Sequence, residues 1–78
     1  MNLTTAIAAV IDDTHQQDPG RAHRMTPDQI VDDTREFVTP ADIETLQLNG
    51  DMNSATALAY RIVIDATPAE LDDALART

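Results

Sequence analysis

The chain has no cysteine, no tryptophan and no lysine. Without thiols there is no disulfide, no thiolate zinc site and no cysteine nucleophile, and the redox compartment cannot be read. Phe37 and Tyr60 are the only aromatics, and Gly20 and Gly50 the only glycines. A Gly-rich phosphate loop is therefore excluded, and a large apolar cleft is not expected. No apolar run approaches the length of a membrane span. The first residues lack the basic flank of a signal peptide. The chain is also short: 78 residues make one helical domain over 1–78, with no room for a second. A domain of this size buries only about 60% of its unfolded surface. Marginal stability, or help from a partner or a second copy, is the expectation.

Charge is strongly one-sided. The formal net charge is -9, with fourteen acids against five bases. Most of the acids are Asp, and every base is Arg. Such a surface repels free nucleic acid and anionic membranes. It has two readings. One is a solubility bias shared across a Lys-poor, Asp-rich genome. The other is an acidic face that docks on a basic protein surface.

Three segments share one grammar: Thr26-Pro27-Asp28-Gln29-Ile30, Thr39-Pro40-Ala41-Asp42-Ile43 and Thr67-Pro68-Ala69-Glu70-Leu71. Each offers a Thr N-cap, a proline at the first helical position, and an acid or amide three residues after the Thr. Each is preceded by an apolar residue, Met25, Val38 or Ala66, at the spacing of a hydrophobic staple. The fold class that follows is all-α: a small compact orthogonal bundle of about five short helices. The periodicity predicts helices over 3–16, 27–38, 40–48, 52–66 and 68–76. Residues 17–25, with Asp18-Pro19-Gly20, read as the longest loop. Gly50 suits a left-handed helix stop. The expected core is Ile7, Val10, Ile11, Ile30, Phe37, Ile43, Leu46, Leu58, Ile62 and Leu71.

The segment 52–66 is apolar on two sides. Ala55, Leu58, Ala59, Ile62 and Val63 form one face; Ala57, Tyr60 and Ile64 form another. A helix apolar nearly all round is central in a fold or buried in an interface. With Leu58 and Ile62 assigned inward, Ala57, Tyr60 and Ile64 become an interface candidate unless another helix covers them. The acid clusters Asp32, Asp33 and Glu36, and Asp72 and Asp73, are assigned to its polar rim or to solvent.

Catalytic chemistry is poorly supplied. Ser54 is the only serine, and its place after Asn53 suits a helix start. His15 and His23 flank the 17–25 segment, with Asp12, Asp13 and Asp18 near them, but no spacing matches a metal-ligand pattern. Adjacent Asp pairs on a helix splay by about 100° and do not converge on a substrate. No cofactor and no metal are expected, and the chain reads as a non-enzyme.

The stretch Leu48-Asn49-Gly50-Asp51-Met52-Asn53-Ser54 with Ala57-Leu58 resembles the Leu-Gly-x-Asp-Ser-Leu segment of acyl and peptidyl carrier proteins. That resemblance implies an acidic helical carrier-protein-like domain. Here Asp51 and Ser54 are not adjacent, and too few residues follow Ser54 for the two later helices of that fold. A helix-turn-helix across Ile43 to Val63 lacks phosphate-contacting charge, because its second helix carries only Arg61 and ends in Asp65. In composition the chain resembles small accessory proteins of actinobacterial phages and halophilic microbes. The expected function is a protein-protein interaction domain, either a subunit of a larger assembly or a regulator binding a host protein. Its place is then cytoplasmic, or in the virion if it is a phage structural subunit. The rival reading is an acidic nucleic-acid mimic that blocks a DNA- or RNA-binding protein.

Overall fold

The computed structural model describes residues 1–77. It holds six helices in the order α1 (Leu3–Gln17), α2 (Pro19–Ala22), α3 (Pro27–Phe37), α4 (Pro40–Leu48), α5 (Ser54–Asp65) and α6 (Pro68–Ala76). There is no strand among the described residues. The radius of gyration is 11.7 Å, against about 11.5 Å for a compact chain of this length. The fold is a small all-α bundle, as the capping grammar requires.

The three Thr-Pro segments each start a helix. Thr26, Thr39 and Thr67 accept the backbone N–H of Gln29, Asp42 and Glu70 at 3.2 Å in every case. Those three side chains reach back to the Thr backbone N–H at 2.9, 3.0 and 3.0 Å. Two orphan donors are thus satisfied at each corner. The residue that follows each box, Ile30, Ile43 or Leu71, is buried. The boxes therefore fix the points where three helices enter the core. Glu70's carboxyl is held below the usual range by the Thr67 backbone and hydroxyl hydrogen bonds. Gly50 takes φ +77 after α4, the left-handed conformation that suits glycine.

The sixth helix lies where a loop is expected. Asp18 caps α2, accepting the Arg21 N–H at 3.3 Å, and Pro19 occupies the first helical position. This is the same grammar with Asp in place of Thr. The short turn drops Ala22 fully into the interior. At the other end of the chain, Asn53 caps α5 through the Thr56 N–H at 2.8 Å, so α5 begins at Ser54 rather than at 52.

α1 packs principally on α5, and also meets α2, α3 and α6. Its stripe of Ala6, Ile7 and Val10 is fully buried. Against it α5 presents Ala57, Ala59, Tyr60 and Val63, all buried. The expected inward face of α5 holds for Ala59 and Val63 and fails for the rest. Ala57 and Tyr60 are core, and Ile64 is partly buried beside them. Leu58 stands outside at 47% exposure, Ala55 is exposed, and Ile62 is only partly buried. The reason is steric. α5 packs on α1, α3 and α4, so small Ala57 and Ala59 are enclosed on different sides of the helix while bulkier Leu58 is left outside.

Five of the expected core residues, Ile7, Val10, Ile30, Ile43 and Leu71, are buried. Ile11 and Leu46 are partly buried. Phe37 is not core: it is 67% exposed. It is the last residue of α3, and the chain leaves the helix at Val38 with φ -98 and ψ 123. Val38 turns back onto the core in its place, and Phe37 is left at the edge.

Candidate functional site

That edge is the lip of an apolar groove. The groove, of about 280 Å³, opens between the end of α1, α2, α3, α4 and the start of α5. Its apolar lining is Met25, Ile30, Phe37, Val38, Leu46 and Met52. Its polar lining includes Asp13, Asp18, Arg21, Asp33 and Tyr60. The helix ends explain the grouping. α1 delivers Asp13, the α2 cap delivers Asp18 and Arg21, and α3 delivers Asp33 and Phe37. The two methionines come from the residue ahead of the Thr26 cap and the one ahead of the Asn53 cap.

Two polar contacts brace the walls. Tyr60 donates its hydroxyl to an Asp13 carboxylate oxygen at 2.7 Å. Burial, then the hydrogen bond to Asp13 and its charge, push the Tyr60 hydroxyl well above its usual range. Tyr60 therefore stays protonated and acts as a donor at every physiological pH. The Arg21 guanidinium pairs with Asp33 across the mouth. Three carboxylates and one guanidinium thus ring the opening, and the guanidinium is already engaged.

The structure does not assemble the interface drawn from the sequence. Ala57 and Tyr60 lie under α1, and Tyr60 contributes to the groove through its hydroxyl end. Asp32 and Glu36 are exposed on α3, while Asp33 faces Arg21. On α6, Asp72 is exposed and Asp73 is held by Arg77 at 3.0 Å, four residues on. Among the described residues, no group of three or more His, Asp or Glu side chains is placed to hold a metal ion. No described helix is long and apolar enough to cross a membrane.

Of the groove residues only Asp33 and Tyr60 are among the interface candidates drawn from the sequence, which places Phe37 in the core and Met25 at a helix staple. One signal was available for the others. Asp18-Pro19 reads as a cap and first helical position, and a helix there folds residues 18–21 back beside α3.

Comparison with protein-family models, curated proteins and solved structures finds no match to this chain.

Proposed function

We propose that the chain is a small, non-enzymatic protein-interaction domain that receives its partner in the groove between α1, α3 and α4. One observation carries this reading: Phe37, one of only two aromatics, stands 67% exposed on the lip of an apolar groove. Aromatic side chains are favoured anchors in protein interfaces. An exposed aromatic on a concave apolar surface rimmed by polar groups fits a docking surface. A partner supplies the cover that a domain this small lacks.

Two matched substitutions test it. Phe37→Asp and Leu48→Asp each place a carboxylate on an exposed apolar position, but Leu48, at 81% exposure, does not line the groove. Affinity capture from the native host is expected to retain a specific protein with wild type and with Leu48→Asp, and to lose it with Phe37→Asp. Loss with both variants, or with neither, overturns the reading.

A further inference from the structure

We infer that the occupant of the groove is an amphipathic helix with a basic flank, a conclusion that rests on the groove being the docking surface. Three features of the lining point to it. The first is charge. Asp13, Asp18 and Asp33 stand on the rim, and the only cation among them, Arg21, is paired with Asp33. The rest of the chain adds to the same sign, with a net charge of -9. A lysine or arginine approaching the rim is attracted at long range and again at contact. A second copy of this chain brings the wrong charge.

The second feature is the floor. Met25 and Met52, two of the chain's three methionines, line the groove below the Phe37 lip. Unbranched, polarizable methionine side chains adapt to the irregular apolar stripe of a helix. The third is size. The groove volume is near 280 Å³. It takes a few anchoring side chains spaced along one helix face, with the helix body left outside.

The carboxylates also differ in what else they do. Asp13 accepts from Tyr60 and Asp18 caps α2. Asn can keep both roles while removing the charge, since Asn caps helices as well as Asp does. Asp13→Asn with Asp18→Asn therefore separates charge from fold.

The test uses the intact chain and a Leu/Lys amphipathic peptide of about 18 residues, long enough to be helical in water. Its scrambled isomer has the same charge without the stripe, and a Leu/Glu version has the stripe with the opposite charge. Binding is followed by fluorescence anisotropy, with the methionine methyl resonances read in parallel. The Leu/Lys helix is expected to bind more than about tenfold tighter than either control. The Met25 and Met52 methyls should shift. Asp13→Asn with Asp18→Asn should lower both affinity and its salt dependence. If the scrambled peptide binds equally, charge alone governs and the helix inference fails, while the groove reading stands. If Phe37→Asp leaves Leu/Lys binding unchanged, the groove reading itself fails.

Discussion

The two sides of α5 are nearly equal in apolar content and opposite in fate. The side centred on Ala57 and Tyr60, with Val63 at its edge, is buried and carries the hydrogen bond from Tyr60 to Asp13 of α1. The other, Leu58 with Ile62, reaches solvent between Arg61 and Asp65. The larger aliphatics lie on the outer side. Burial therefore follows which residues meet the neighbouring helices, chiefly α1 with its buried stripe of Ala6, Ile7 and Val10. Hydrophobic size alone ranks the two faces in the wrong order.

The largest expected effect separates the faces directly. Val63→Asp places an unpaired carboxylate where exposure is zero, and the chain should lose its helical circular dichroism at room temperature. Leu58→Asp should change stability by no more than about 0.5 kcal/mol. Equal damage from both would break the comparison. Next in size is Ile7→Ala, at the centre of the α1 stripe that meets α5. It should cost about 2–5 kcal/mol by denaturant melt. A cost near zero would show that α1 does not carry the packing of α5.

Tyr60→Phe sharpens the inward face. It removes a donor to a charged acceptor and should cost about 1.5 kcal/mol at neutral pH. It should also change the alkaline limb. A raised proton affinity in the folded state means that this contribution is complete below the ordinary tyrosine value of 10.0. It is lost as pH climbs beyond that value, because the unfolded chain releases the proton first. Wild type should lose stability above that pH, and Tyr60→Phe should lose less. A parallel decline in both would exclude Tyr60 as the cause.

Smaller effects bear on the frame that holds both faces. Thr39→Ala removes one half of a capping box and should cost about 1 kcal/mol. Added NaCl should raise the thermal midpoint slightly, by screening a net charge of -9. A flat or falling trend would mean that the pairs Arg21–Asp33 and Arg77–Asp73 already offset the local repulsion.

The corners of the fold were legible in the sequence because capping is local. A Thr, a Pro and an acid within a few residues contain the whole interaction, and all three boxes form where they are written. Pro40–Leu48 and Pro68–Ala76 have the boundaries that the pattern predicts. Asp18-Pro19 carries the same local information, but Gly20 directly after it also fits a turn, which is why α2 reads as a loop. The orientation of α5 was not legible, because both faces satisfy a helical period and the choice depends on α1, more than forty residues earlier in the chain. Phe37 shows the same limit. Its spacing from Ile30 and Thr34 puts it on the inward face, but α3 ends there and leaves it on the groove. The groove gathers residues from five helices, and no window of sequence contains them together.

Thiol labelling gives the most direct measurement of which way α5 faces. The chain has no native cysteine, so Leu58→Cys and Val63→Cys each create a single reporter. Both are treated with a thiol reagent in native buffer and again in denaturant, where their rates should agree. In native buffer, Leu58→Cys should react near its denatured rate. Val63→Cys should be slowed by more than about a hundredfold, because it reacts only through opening of the core. If Val63→Cys labels as fast as Leu58→Cys in native buffer, or Leu58→Cys is the protected one, α5 is not packed as described and the account is wrong.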